Sequence, residues 1–189
     1  MDVVKHNLPG VLEITPPRFG DDRGFFSETW NAKHLADLGI ENNFVQDNHS
    51  LSRAKGVLRG LHFQRDPFAQ DKLVRVTRGA VFDVAVDIRK GSPHFGHWVG
   101  VELTAEKGNQ LFVPRGFAHG FLTLTTDTEF LYKVTNYYSP EEDRSIRFDD
   151  PAIGITWPMP PDEITLSDKD LNAPLLADSD NSFVFNGDH

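Results

Sequence analysis

The stretch that indicates the fold most clearly is Leu73-Val74-Arg75-Val76-Thr77, then Arg78-Gly79, then Ala80-Val81-Phe82-Asp83-Val84-Ala85-Val86-Asp87-Ile88. It is rich in β-branched and aromatic residues, and its apolar positions recur with the period of two that is typical of strands. Arg78-Gly79 is a turn signal between the two runs. The stretch therefore predicts two strands joined as a hairpin.

Further short strands are predicted on the C-terminal side, separated by Gly, Pro, Asn and Asp. They lie at residues 97–103, 110–113, 120–125 and 129–138. A helix is predicted after the N-cap residue Asn31, with Leu35 and Leu38 on one face and Gly39 at its end. Many short strands with few helices indicate an all-β sandwich or barrel.

Composition limits the domain count and the class of partner. The chain has 189 residues, which fits one domain, 1–189, with a core of about residues 20–148 and a proline-rich, extended C-terminal wrap at residues 149–189. The net charge of -9 disfavours a nucleic-acid partner. Residues 1–6 lack a long apolar h-region, and no apolar run reaches about eighteen residues, so neither secretion nor a membrane span is expected. The chain has no cysteine, which excludes disulfides and thiolate metal sites. A cytoplasmic location is expected.

A candidate site lies in Gly56-Val57-Leu58-Arg59-Gly60-Leu61-His62-Phe63-Gln64, a strand-like run that Lys72 follows. Ionisable groups in a strand interior cost free energy unless a partner or a ligand compensates their desolvation. Strict alternation places Arg59 and His62 on opposite faces of a sheet. A bulge at Gly60 would bring both side chains to one face.

A second motif is Gly108, five residues, Pro114-Arg115-Gly116, two residues and His119. This spacing resembles the second cupin motif, with Thr123 where that motif usually has Asn, and it supports a small jelly-roll barrel. The usual first cupin motif is absent, because His62-Phe63-Gln64 replaces its two alternating histidines. His62 and His119 are then too few imidazoles for a confident metal site, so metal-free chemistry is expected.

Nearly the whole chain resembles the dTDP-4-dehydrorhamnose 3,5-epimerase family. The matching segments are residues 20–28, 44–50, 57–64, 72–75, 82–89, 113–121, 130–140 and 166–170. The resemblance implies a cupin-like jelly roll, or double-stranded β-helix, with a few short helices and an extended C-terminal tail. It also implies epimerisation at C3 and C5 of dTDP-4-dehydro-6-deoxy-D-glucose to dTDP-4-dehydro-L-rhamnose.

The implied chemistry needs no cofactor. C3 and C5 both flank the C4 ketone, so removing a proton from either carbon gives an enolate. The site must therefore supply a base, a group that stabilises charge on O4, and an acid on the opposite face. The proton donor at C3 stays open, and water is a candidate for it.

The resemblance implies four catalytic residues. His62 is the base, and Asp170 in the tail orients it, with Asp168 as a neighbouring alternative. Tyr132 is the proton donor, and Lys72 lies near the keto oxygen. From the residues alone, Tyr132 is better explained as a half-buried sheet aromatic, and a surface cation is an alternative for Lys72.

The resemblance also implies substrate contacts. Asp83 is expected to keep Lys72 charged, and Arg23 and Arg59 suit a diphosphate. Asp143 is shorter than the glutamate expected at its position. The full implied set is Arg23, Phe26, Glu28, Gln46, Asp47, Asn48, Arg59, Lys72, His119, Tyr138, Asp143 and Lys169. From the residues alone, His119 is equally well explained by packing. The other histidines are interpreted as ordinary surface or packing residues: His6, His34, His49, His94, His97 and His189.

A homodimer is expected. Jelly rolls leave open sheet edges, and a second copy would cover the apolar segment Gly24-Phe25-Phe26. The resemblance implies that residues cross between subunits and that Arg23 completes the neighbour's site.

Three alternative functions stay open. The chain could epimerise only C3 or only C5. It could be a metal-dependent cupin oxygenase that uses His62, His119 and Gln64, or a non-catalytic cupin that binds a nucleotide sugar.

Overall fold

The computed structural model describes residues 1–187, so the last two residues of the predicted C-terminal wrap, including His189, lie outside the described part. Thirteen strands and two short α-helices follow one another along the chain. The strands are β1 (Asp2–Lys5), β2 (Leu12–Thr15), β3 (Phe19–Asp21), β4 (Gly24–Phe26), β5 (Gln46–Ser52), β6 (Leu58–Gln64), β7 (Lys72–Arg78), β8 (Ala80–Asp87), β9 (Trp98–Thr104), β10 (Gln110–Val113), β11 (Phe117–Thr123), β12 (Thr128–Val134) and β13 (Asp143–Ser145). The helices are α1 (Ala32–Ala36) and α2 (Asp168–Leu171).

Two antiparallel sheets form the body of the protein. The six-stranded sheet has the order β1-β2-β10-β7-β12-β5, and the five-stranded sheet has the order β13-β6-β11-β8-β9. Their inner faces share one buried cluster, which includes Val74 and Phe130 from the first sheet and Val81, Ala85 and Phe121 from the second. Burial of these side chains between the sheets provides the main hydrophobic stabilisation. The predicted jelly roll is confirmed.

The predicted hairpin of β7 and β8 is wrong. β7 pairs with β10 and β12, whereas β8 pairs with β11 and β9. Gly79 takes the chain from one sheet to the other with a φ of 78°, at a point where an added Cβ would lie 2.2 Å from Thr125 Oγ1. A period of two specifies a strand but does not specify its partner.

The individual elements follow local sequence signals closely. The predicted strand at residues 110–113 coincides with β10, while β11 starts three residues earlier than predicted, at Phe117. β12 ends at Val134 rather than at residue 138, because Val134 already pairs with Gln46, the first residue of its partner strand β5. Asn31 caps α1 as predicted, because its side chain accepts hydrogen bonds from the N–H groups of residues 33 and 34. The helix ends at Ala36, short of Gly39.

The C-terminal wrap forms backbone bridges with two other parts of the chain. Its Thr165 forms a bridge with Val57, and its Val184 forms one with Lys90. This arrangement brings α2 against β6. At the other end of the chain, β1 and β2 belong to the six-stranded sheet, which therefore starts well before the predicted core boundary at about residue 20. Among residues 1–187, no helix is long and apolar enough to cross a membrane.

Candidate active site

One cavity of about 410 Å³ opens between the two sheets and is closed on one side by the C-terminal wrap. The five-stranded sheet contributes His62 and His119, and the six-stranded sheet contributes Lys72 and Tyr132. Asp170 comes from α2 in the wrap. The full lining is Ser50, Val57, Leu58, Arg59, His62, Lys72, His119, Phe121, Phe130, Tyr132, Thr165, Leu166, Ser167, Lys169 and Asp170.

A bulge in β6 brings Arg59 and His62 to the same cavity. His62 lies opposite His119 on β11, but Arg59 lies opposite Phe121, so β6 has one more residue than β11 in this interval. Gly60 occupies the bulge with a φ of 129°, and a Cβ there would lie only 2.6 Å from Gly120 Cα. The predicted bulge at Gly60 is confirmed.

His62 and Asp170 form a hydrogen-bonded pair. The His62 Nε2 atom lies 2.6 Å from Asp170 Oδ1, and the backbone N–H of Gly60 donates to Asp170 Oδ2 at 3.4 Å. Burial acts to raise the pKa of the Asp170 carboxyl, but the hydrogen bonds and the charge of His62 outweigh it and hold the pKa below its usual value. Asp168, the alternative partner, is exposed on α2.

Ser167 positions this carboxylate and was not singled out from the sequence. It is the N-cap of α2, and its Oγ accepts a hydrogen bond from the Asp170 N–H at 3.2 Å. The available signal was a serine three residues before an acidic residue, the spacing of a helix N-terminus. Ser50, Phe121 and Thr165 were also missed as cavity residues, because nothing in their local sequence distinguishes them from ordinary strand and loop residues.

Asp83 is hydrogen-bonded to His119, and its negative charge also favours the charged form of Lys72, as expected. The His119 Nε2 atom lies 2.9 Å and 3.1 Å from the two carboxylate oxygens of Asp83, and both residues are buried. Burial raises the pKa of the Asp83 carboxyl, while the His119 ring and the Lys72 ammonium act against the increase.

Lys72 projects from the start of β7 into the cavity. Burial lowers the pKa of its ammonium to about 8, and the negative charges of Asp143 and Asp83 oppose this fall. Such a group is mostly protonated at neutral pH. It is well suited to stabilise a negative oxygen in the cavity.

Tyr132 belongs to the six-stranded sheet, whereas His62 belongs to the five-stranded sheet on the other side of the cavity. Burial raises the pKa of its phenol, partly offset by the nearby Arg59, so the hydroxyl keeps its proton at neutral pH. The ring packs beside Phe130, which stacks on Phe121 with ring centroids 3.9 Å apart. Tyr132 and Lys72 are therefore titratable, proton-bearing groups that the six-stranded sheet contributes to the cavity.

A cluster of five polar or charged residues lies beside the cavity. Lys169 forms an ion pair with Asp143, and the Tyr138 hydroxyl lies 3.4 Å from the same carboxylate. The Tyr138 N–H donates to Gln46 Oε1 at 3.1 Å, and the Gln46 amide donates to Asn48 Oδ1 at 2.9 Å. These five residues of the implied contact set are therefore brought together.

Four other residues of that set lie elsewhere. The Asp47 side chain points to the opposite face of β5, where it accepts from Lys133 Nζ at 2.9 Å. Arg23 pairs with Asp21, Phe26 is 68% exposed, and Glu28 lies 3.0 Å from His34. The structure does not bring these side chains to the cavity of their own chain.

Gln64 does not complete a metal-ligand set with His62 and His119. Its amide nitrogen donates to the carbonyls of Phe68 and Tyr137, and its amide oxygen accepts from the Ser139 N–H at 2.8 Å. Within residues 1–187, no group of three or more His, Asp or Glu side chains is arranged to hold a metal ion. The oxygenase interpretation therefore gains no ligand from Gln64.

The comparisons with known proteins agree with this arrangement. The family model for dTDP-4-dehydrorhamnose 3,5-epimerase matches residues 5–178. The dTDP-4-dehydrorhamnose 3,5-epimerase of Salmonella typhimurium is 58% identical over 179 residues, which cover 93% of this chain and 96% of that protein. This chain belongs to the dTDP-4-dehydrorhamnose 3,5-epimerase family. The predicted family, its jelly-roll fold and its isomerase class are confirmed.

Two solved structures show how widely the epimerase fold is shared. An epimerase from Legionella pneumophila, in complex with dTDP-4-keto-L-rhamnose, has a TM-score of 0.89 and 49% identity, over 93% of each chain. A 3'-monoepimerase from Streptomyces bikiniensis, in complex with dTDP-quinovose, has a TM-score of 0.82 and 35% identity, over 92% of this chain and 88% of that one. The fold therefore occurs in both double and single epimerases.

Proposed function

We propose that this protein inverts C3 and C5 of dTDP-4-dehydro-6-deoxy-D-glucose and releases dTDP-4-dehydro-L-rhamnose. The observation that carries the proposal is the placement of a base and an acid on opposite walls of one cavity. The His62–Asp170 pair belongs to one wall, and Tyr132 and Lys72 belong to the other. Inversion at a carbon requires this arrangement, because the proton leaves from one face and returns on the other.

His62 is the base at both carbons. In the D-gluco substrate the hydrogens at C3 and C5 point to the same face of the ring, so one base on one side reaches both. Asp170 holds Nε2, which leaves Nδ1 to accept the substrate proton. The Asp170 carboxylate also stabilises the imidazolium that forms.

Lys72 stabilises the enolate. Its ammonium lies in the same cavity as His62, and charge that develops on O4 is attracted to it. Tyr132 then delivers its phenolic proton to the carbon from the face opposite His62. No step requires an electron acceptor or an external carbonyl-activating group.

The nucleotide is proposed to bind on the polar side of the cavity. Arg59 and His119 face the diphosphate and sugar, while Gln46, Asn48 and Tyr138 border the rest of the ligand. Asp143 and Lys169 are paired with each other in this structure. Their contact with the ligand therefore requires that the ion pair is shared with it or opened.

The remaining implied contacts are proposed to act in a homodimer. Arg23, Phe26 and Glu28 lie on or just after the β3–β4 hairpin, whose Phe19, Phe25 and Phe26 are each at least 64% exposed. Exposed aromatic side chains in such a cluster are typical of an interface. We propose that this hairpin reaches the neighbour's cavity. A cytoplasmic location is proposed because a chain without cysteine suits a reducing compartment.

The test is incubation of the protein with dTDP-4-dehydro-6-deoxy-D-glucose in D2O, followed by NMR of C3 and C5. The expected result is deuterium at both carbons and formation of the L-rhamno product. The single-epimerase alternative, favoured by the fold's occurrence in a 3'-monoepimerase, predicts exchange at one carbon only. Tight binding without any exchange would instead support a binding protein.

A further inference from the structure

After the first of the two inversions, His62 still carries the proton that it removed from the sugar. When His62 removes a proton from the first carbon, it becomes an imidazolium. The second inversion needs a neutral His62 again. One proton must therefore leave His62 before the second carbon reacts.

A buried hydroxyl without a protein partner lies beside His62. Within residues 1–187, Ser145 Oγ and His6 Nε2 are the buried side-chain polar atoms that lack a hydrogen bond. His6 Nε2 still lies 3.5 Å from the Glu13 carboxylate, whereas Ser145 has no such neighbour among the ion pairs and hydrogen bonds of the described chain. A buried hydroxyl left unbonded is costly, so it marks a place where a water or ligand is bound.

The strand register directs this hydroxyl toward the base. Ser145 on β13 lies directly opposite His62 on β6. The adjacent residues Leu61 and Ile146 exchange both backbone hydrogen bonds, which makes His62 and Ser145 a non-hydrogen-bonded pair with closely spaced side chains. Their Cβ atoms are then about 5 Å apart on one face of the sheet. Asp170 occupies Nε2, so Nδ1 is the ring nitrogen left to contact a water held by Ser145.

Ser145 lies on the side of His62 that faces the edge of the five-stranded sheet. β13 is the edge strand of the five-stranded sheet, and His119 occupies the other side of His62 on β11. A group on β13 therefore stands between the base and the rim of the sheet, whereas His119 stands between the base and the sheet interior.

We propose that Ser145 is a positioning residue whose hydroxyl holds a water molecule next to His62 Nδ1, and that this water takes the proton of the imidazolium to solvent between the two inversions. The proton that His62 removed from the first carbon passes to the water, which releases a proton to bulk solvent. Tyr132 regains a proton from solvent. This inference rests on the proposed function, because in a double epimerase the transfer must occur within a single turnover.

The test uses the intact protein, Ser145→Ala, and Ser179→Ala as a matched serine change in the C-terminal wrap, where the hydroxyl bonds to a backbone carbonyl. Deuterium at C3 and C5 is followed by NMR in D2O with the protein in excess over dTDP-4-dehydro-6-deoxy-D-glucose, so that only the second inversion requires His62 to lose a proton first. For Ser145→Ala we expect a near-normal first inversion and a second inversion slowed about tenfold, with the singly inverted sugar accumulating. Added imidazole or formate buffer is expected to restore the second inversion, because a small buffer replaces the lost proton carrier.

Equal rates at both carbons in Ser145→Ala and the unchanged protein would overturn the proposal. An equal loss at both carbons that buffer does not restore would also overturn it, since that pattern indicates a purely structural role. Thermal unfolding of each variant accompanies the kinetics, and removal of an unbonded hydroxyl is expected to leave stability nearly unchanged. Absence of exchange in the unchanged protein would reject the proposed function itself.

Discussion

At the scale of single residues, the two histidine–carboxylate pairs of the cavity differ in ways that fit different tasks. His62 is half-buried and pairs with Asp170 through one oxygen, which leaves Nδ1 open to the cavity. His119 is buried and lies within 3.1 Å of both oxygens of a completely buried Asp83. An accessible imidazole that is held by one carboxylate oxygen suits proton transfer. A buried imidazole that is held by both oxygens of a carboxylate suits fixed hydrogen bonding.

The Asp170→Asn variant is expected to lower kcat by about 100-fold, because the amide stabilises neither the correct His62 tautomer nor its imidazolium. KM is expected to change little, since Asp170 acts through His62. Asp168→Asn is the matched control, because Asp168 is exposed on the same helix and its side chain does not contact His62. Steady-state kinetics of both variants provide the measurement, and equal losses in the two would contradict the assignment.

The pH dependence of kcat/KM should show the titration of Lys72. Burial places the pKa of this ammonium at about 8. Only the protonated form stabilises the enolate oxygen, so kcat/KM is expected to fall as the pH rises through about 8. In Lys72→Arg the guanidinium stays charged throughout, so the remaining activity should lack this alkaline decline. An unchanged alkaline limb in the variant would assign the titration to another group.

At the scale of elements, the bulge in β6 is the feature on which the site depends. Without the extra residue at Gly60, regular alternation would separate Arg59 from His62 by the thickness of the sheet. The chain sequence contains the signal for this bulge, a glycine between two polar strand residues. The partner strand β11, whose Gly120 provides the space, is recognisable only in the folded sheet.

Gly60→Ala is expected to destabilise the protein by about 3 kcal/mol or more, because it adds backbone strain at φ 129° to a contact of 2.6 Å with Gly120 Cα. Gly39→Ala is the matched control, since its φ of 82° also disfavours alanine but nothing lies within 4 Å of the added Cβ. Its expected cost is about 1 kcal/mol. Denaturant unfolding measures both, and similar costs would show that the close approach of β11 is unimportant.

At the scale of the whole molecule, the cavity is assembled from both sheets and the C-terminal wrap, and it is proposed to be completed by a second copy. His62 and Asp170 are 108 residues apart in the chain, yet their side chains are hydrogen-bonded. The exposed β3–β4 hairpin lies outside both main sheets. The cavity is therefore a property of the folded chain rather than of any one segment.

Mixed dimers test whether Arg23 acts in the neighbour's site. Arg23→Ala and His62→Asn are each expected to be nearly inactive alone. After the two variants are unfolded and refolded together, half of the dimers are expected to be mixed, and each mixed dimer contains one intact site. About a quarter of the wild-type activity should then return. Recovery is expected only if Arg23 and His62 of one site come from different chains, so a mixture that stays inactive would place Arg23 in its own chain's site or outside the site.

The sequence by itself determined the family, the all-β class, the capped helix after Asn31 and the identities of the main cavity residues. These properties are carried by local periodicity, capping residues and short motifs, which do not depend on distant contacts. Only the tertiary structure decided that β7 and β8 lie in different sheets and that Asp83 is hydrogen-bonded to His119. It also turned the Asp47 side chain away from the cavity and set Ser145 beside His62. Strand partners and side-chain neighbours depend on which distant segments meet, and the free energy of that choice comes from burial between the two sheets rather than from any local signal.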